Sequence, residues 1–258
     1  MAAGRGGRGG QGKRPAGKRP ATAKKAPSTK KTSATKDTAK KHTAKKPVPV
    51  ASPALPPGPF RLGAIEGATP GKWIDVWRER MPGIPLDLVA LGIADQRAAL
   101  GGDTSPASVD AALVRLPIDR EGLHVIPLYD ELPVVVCAAD AHLTAADELT
   151  ADDLAGEVLI TPVAPPLEVE IPGADAPRFA PPASVEEAIA IAASGVGIVV
   201  VPMSLARLHH RKDVDYRPLA DGPHSTVALA WPARDAETPA LVDAFIGIVR
   251  GRTANSSR

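Results

Sequence analysis

Fifteen lysines and arginines fall within the first 47 residues, opposed by the single acid Asp37, so this segment carries a net charge of +14. Arg5-Gly6-Gly7-Arg8 is an RGG-like pair, and Lys13-Arg14-Pro15 is repeated five residues on as Lys18-Arg19-Pro20. The pairs Lys24-Lys25, Lys30-Lys31, Lys40-Lys41 and Lys45-Lys46 follow, spaced by small residues, Pro and a few other polar residues. Cations on such a chain neutralise phosphates and release condensed counterions without reading bases. No aromatic residue is interleaved among them, so nothing there offers a platform for stacking on single-stranded bases.

Elsewhere the residues that could do covalent or metal chemistry are badly spaced for it. His42 and the pair His209-His210 have no Cys, Asp or Glu arrangement of metal-site spacing. The pair sits where a helix should end and is expected to meet its terminal carbonyls. The one cysteine, Cys137, lies in the apolar run Leu132-Pro133-Val134-Val135-Val136 and reads as a buried, reduced thiol in a strand. One cysteine excludes an intrachain disulfide framework and suits a reducing cytosol. Gly195-Val196-Gly197 falls after a helix and before a strand, the reverse of a dinucleotide-binding turn, and Ser204 lacks a nucleophile elbow. No cofactor, metal or enzymatic activity is inferred.

The whole chain has 31 basic and 29 acidic residues, so beyond residue 47 there remain 16 basic against 28 acidic, a net −12. The two parts are unlike objects. Residues 1–46 contain no Leu, Ile, Val, Phe, Trp or Tyr and have nothing to bury against the entropy of ordering, which predicts a disordered basic tail over 1–47. The segment 48–59 continues a Pro-rich stretch and reads as an extended linker. No apolar run follows the basic stretch as in a signal peptide, and no segment reaches the length of a membrane span, which predicts a cytoplasmic protein.

The acidic part must position whatever site exists. Phe60–Ile65 reads as a strand, and Thr69-Pro70 as N-cap and first residue of a helix bearing Trp73, Ile74, Trp77 and Met81. Residues 85–91 and 110–116 read as further strands, with a short helix capped by Asp95 between them. This β-α-β-α-β order favours a parallel sheet. A strand pair at 123–128 and 132–138 follows, then a short helix capped at Thr150 and a strand over 158–161. Ser184-Val185-Glu186-Glu187 is a capping box opening a helix that closes at Gly195. An apolar strand over 197–202, a helix over 204–209, a strand over 227–231 and a helix opened by Thr238-Pro239 complete the series.

Taken in order, four segments resemble the effector-binding domain of LysR-type transcriptional regulators. They are FRLGAIEGATPGKW from Phe60, VDAALVRLPIDREGLHVIPLYDELPVVVCAADAHL from Val109, LTADDLAGEVLIT from Leu149, and SVEEAIAIAASGVGIVVVPMSLARL from Ser184. The last is the most specific, with its helix, Gly-x-Gly, apolar strand and Pro-x-Ser. The resemblance spans about Phe60 to Arg250 and implies an α/β fold of two Rossmann-like lobes of the type II periplasmic-binding-protein kind. These are joined by two crossing strands, with lobe I at 60–132 and 228–250 and lobe II at 133–227. Residues 251–258 are expected to be a disordered C-terminus.

The same resemblance implies a small effector in the interlobe cleft. Its contacts would be Glu66, Gly67, Ala68, Thr69, Ile93 and Arg115 from the first lobe, and Thr161, Pro162 and Ser184 from the second. Loops at helix N-termini suit an anionic group there. Glu66 opposes an anion, so it either pairs with Arg115 or selects a cationic or neutral ligand. Thr69 is alternatively a helix cap, and Arg115 a structural ion-pair partner. Ile93 stands where many family members have Ser or Thr. Family members begin with a winged helix-turn-helix and a dimerising linker helix, neither of which residues 1–59 are able to form. Instead, the Lys-Arg-Pro repeats resemble AT-hook cores with Lys in place of Gly, and the Lys-rich stretch resembles linker-histone tails. The expected protein is a non-enzymatic, homodimeric, transcription-related or nucleoid-associated regulator that binds DNA non-specifically through its tail. The alternative is a stand-alone binding module with a solubilising or RNA-directed tail.

Overall fold

The apolar runs form two sheets rather than one. The computed structural model describes residues 58–101, 108–234 and 237–251. The expectations on the basic tail, the linker up to residue 57 and residues 252–258 lie outside the described residues. The elements are β1 (Phe60–Ile65), α1 (Gly71–Arg80), β2 (Leu86–Leu91), α2 (Gln96–Ala99), β3 (Ala111–Arg115), β4 (Leu123–Glu131) and β5 (Pro133–Ala138). Two 3-10 turns, His142–Ala145 and Ala151–Leu154, precede α3 (Val185–Ala192). Then come β6 (Val199–Pro202), α4 (Met203–Leu208), β7 (Val214–Pro218), β8 (Ser225–Pro232) and α5 (Ala240–Val249).

The first sheet has the order β2-β1-β3-β8-β4 and the second β6-β5-β7. β1 runs parallel to both β2 and β3, as the alternation of strands and helices predicts, whereas β8 is antiparallel to β3 and β4. Every residue of β3 is buried because helices or loops cover both faces of its sheet, which is why this stretch lacks polar alternation. On one face Phe60, Trp77 and Phe245 form an aromatic centre, the Phe60 and Trp77 rings stacked at 4.7 Å. The other face packs Ile65, Leu91, Leu100 and Val114. The second sheet has its own two cores, one around Ile189, Val199 and Leu205 and one around Val135, Leu154 and Ile198. Fold and sequence agree on an α/β protein of two lobes.

Several local expectations change. The segments 123–128 and 132–138 do not pair with each other. β4 pairs with β8 in the first sheet while β5 pairs with β6 and β7 in the second, so one extended run crosses between lobes at Leu132. Thr69 and Thr238 do not cap their helices, because the first helical hydrogen bonds go to the proline carbonyls. The Trp73 and Ile74 amides donate to Pro70 O, and that of Asp243 to Pro239 O. Asp95 stands at the start of α2 without a side-chain cap bond. Residues 158–161 form only isolated bridges, Val158 with Asp175 and Leu159 with Ile198. Thr150 and Ser184 do cap, Ser184 Oγ accepting from the Glu187 amide at 3.1 Å. No helix among the described residues is long and apolar enough to cross a membrane.

Candidate functional site

The C-terminal end of β1 turns into α1 through Glu66-Gly67-Ala68-Thr69, and this loop meets the start of α4 from the other lobe. Gly67 takes φ +82°, a left-handed conformation that glycine adopts at no steric cost, and a Cβ there would run into Ser204 Oγ. Between the loop, the β4–β5 crossing and α4 lies a cavity of about 650 Å³. Gly67, Ala68 and Thr69 line it with Tyr129, Asp130, Glu131 and Leu132 of the crossing and with Met203, Ser204, Arg207 and Leu208.

Its walls are mostly apolar. Leu132 is 48% exposed and Leu208 56%, two of the few large apolar side chains left open to solvent among the described residues. The acids are already engaged: Asp130 Oδ1 accepts from the Thr226 hydroxyl at 2.6 Å, and Glu131 Oε2 is held by Arg115 Nη1 at 2.6 Å. Arg207 has only a long contact from Nε to the Tyr216 hydroxyl, at 3.5 Å. The Ser204 hydroxyl is buried without a partner. Burial pushes the Tyr129 phenol up, Glu131 adds to this, and Arg115 opposes it, so the phenol stays neutral near pH 7 and can donate or accept. The free polar groups around the cavity are thus two hydroxyls, a phenol and a guanidinium.

The expected contacts are only partly brought together. Gly67, Ala68 and Thr69 meet at this cavity. Thr161 and Pro162 line a different one, of about 500 Å³, with Leu159, Leu167, Glu168 and Glu170. Ile93 and Ser184 line neither. Glu66 does not pair with Arg115: its Oε2 lies 3.8 Å from Nε2 of His209, at the end of α4. His209 therefore faces the other lobe rather than the carbonyls of its own helix end.

Arg115 is 2% exposed and lines neither cavity. Strand register explains its partners. Arg115 stands opposite Val227, Ser225 is two residues along β8 on the same face, and Glu131 stands opposite Ser225. Nη1 accordingly donates to Ser225 Oγ at 2.5 Å as well as to Glu131. Its backbone is closed off by Gln96, whose side chain donates to Arg115 O at 3.0 Å and accepts from Arg115 N at 2.9 Å. Tyr129, Arg207 and Gln96 carry no local signal in the sequence, whereas Ser204 reads there as an unsupported nucleophile and as the serine of the family-like Pro-x-Ser. Its position just after Pro202, at a helix start, is the one legible hint.

Cys137 is buried in β5, and burial pushes its thiol up, which makes it a poor nucleophile. Among the described residues no group of three or more His, Cys, Asp or Glu is placed to hold a metal ion.

Residues 53–254 match the family model described as the LysR substrate binding domain. No curated protein matches the sequence. Among solved structures, a mutant OxyR regulatory domain from Pseudomonas aeruginosa is 25% identical with a TM-score of 0.56, over 77% of this chain and 99% of that one. A full-length mutant OxyR from the same organism is 24% identical over 75% of this chain and 69% of that one, with a TM-score of 0.57. The BenM effector binding domain with its effector benzoate is 19% identical, with a TM-score of 0.59 over 75% of this chain and 91% of that one. These likenesses agree with the two-lobed fold built above from its strands, and the match over residues 53–254 places the chain in the LysR substrate-binding-domain family.

Proposed function

We propose that the protein is a non-enzymatic, transcription-related regulator that takes a small carboxylate in the cavity between the β1–α1 loop and α4. The observation that carries this reading is the state of the polar groups around that cavity. Asp130 and Glu131 are spent on Thr226 and Arg115, and Glu66 faces His209, while Arg207, Thr69 and Ser204 are left to a ligand. An apolar wall with one guanidinium and a few hydroxyls suits a compact anion with an apolar body. The benzoate bound by the BenM domain is a compound of that kind. Of the expected contacts, Gly67, Ala68 and Thr69 belong to this site. Arg115 acts behind it.

DNA is the second partner in this reading. The +14 segment would associate with the duplex through phosphates, while the −12 remainder is repelled by it, so contact is confined to residues 1–47. A homodimer would present two such segments and raise avidity without new contacts. Such a protein belongs in the cytoplasm, at or near the nucleoid.

The cavity is tested by thermal shift with a panel of small aromatic and aliphatic carboxylates, benzoate first, on the full chain and on Thr69→Trp. Thr69 is exposed and caps no helix, so filling the cavity from there leaves the ligand-free melting temperature near that of the parent. At a ligand concentration about 100 times its Kd the parent gains about 2.7 kcal/mol of stability. The variant should gain none. A panel without effect on the parent, or an equal gain in the variant, contradicts the assignment.

A further inference from the structure

The chain passes between lobes twice, and one side chain touches both passages. It leaves the first lobe at the end of β4, where Glu131 is the last residue, and it returns at Ser225, the first residue of β8. Arg115 Nη1 donates to Glu131 Oε2 at 2.6 Å and to Ser225 Oγ at 2.5 Å. All three are nearly or fully buried: Arg115 is 2% exposed, Glu131 10% and Ser225 1%. The Gln96 side chain fixes the Arg115 backbone on both its N–H and its carbonyl, so the guanidinium projects from a rigid base.

Burying a charge here is not needed for the core, since Ala111 and Leu113 fill the same face of β3. Nor is Arg115 fully satisfied, because Nε and Nη2 are buried without partners. A residue kept at that cost, with its side chain bonded to the two points where the lobes join, is placed to control their relative movement. We infer that Arg115 is a positioning residue that pins both interlobe crossings together and so limits how far the two lobes open around the cavity. The ordinary hinge of a two-lobed protein is a few residues free to change φ and ψ. Here those residues are tied by an ion pair and a hydroxyl. The pin does not depend on what the cavity binds.

Three amides report on the crossings. Met203 N–H donates to Leu132 O at 3.0 Å, Leu219 N–H to Pro133 O at 3.0 Å and Leu116 N–H to Thr226 O at 2.9 Å. Hydrogen exchange is followed on the full chain and on the Ser225→Ala and Arg115→Met variants, with amides of α5 as the control for global stability. Ser225→Ala removes one hydroxyl and leaves the ion pair, so it remains decisive even if Arg115→Met fails to fold. The expected result is exchange about tenfold faster at Leu116 in Ser225→Ala, the loss of one hydrogen bond to a charged group, with α5 within about twofold of the parent. In Arg115→Met all three reporters accelerate, and X-ray scattering shows a larger radius of gyration. Unchanged reporters in Ser225→Ala, or acceleration spread equally to α5, would overturn the inference.

Discussion

Gly67 and Ser204 face each other across the two lobes so closely that a Cβ at position 67 would have to displace the Ser204 hydroxyl. One belongs to the loop after β1 and the other to the first turn of α4, so this approach helps set the closed spacing of the cavity. Gly67→Ala adds both a clash and a side chain at φ +82°, where non-glycine residues cost about 1–3 kcal/mol. Equilibrium denaturation of the variant should show a loss of that size. The carboxylate response should weaken with it, because the wedge moves α4 away from the loop.

The Arg115–Glu131 pair is buried from both sides, and removing one partner strands the other. Glu131→Ala should cost about 3–5 kcal/mol in chemical denaturation. An exposed pair such as Arg78–Asp75, with both side chains 70% exposed, should yield under about 1 kcal/mol when broken the same way. Similar losses at the two positions would mean that Arg115 is not held as the strand register implies.

Asp153 gives a pH signature. The Thr150 backbone N–H and hydroxyl both donate to its carboxylate, which lowers its pKa below the ordinary aspartate value. A carboxyl depressed in the folded state stabilises above its unfolded pKa, near about 3.9, and that contribution is lost as pH falls through the lower folded value. Asp153→Asn should therefore melt below the parent at pH 7, and the two melting temperatures should converge in acid below about pH 4. A difference that persists unchanged to the lowest pH at which both remain folded would assign the effect to shape alone.

Elements whose signal is local were legible in the sequence. β1, β3, α3 and α5 carry continuous or helical apolar patterns with clear ends, and they are found within a residue or two. What escaped depends on partners distant in the chain. β7, Val-Asp-Tyr-Arg-Pro, has too little apolar content to read as a strand, and it becomes one only because β5 offers it an edge. β4 and β5 read locally as a strand pair, but they separate into different sheets at Leu132, the lobe boundary that the family resemblance implies, because β8 claims β4. The site shows the same division. Gly67 to Thr69 could be placed from one loop, whereas Arg207 and Tyr129 reach the cavity only through the lobe arrangement. The partner of Arg115 required the register of three strands.

The proposed division of labour, with a small ligand taken by the body and phosphates bound by the tail, is tested most directly by DNA titration. Fluorescence anisotropy on a mixed-sequence duplex compares the full chain with a chain lacking residues 1–47, at about 50 and 200 mM salt. The full chain should bind at the lower salt and lose about a thousandfold in affinity at the higher, as for a polycation contacting some six phosphates. The shortened chain, with its net −12, should not bind at either salt concentration. Equal affinity and equal salt dependence in the two chains would contradict the proposed role of the tail.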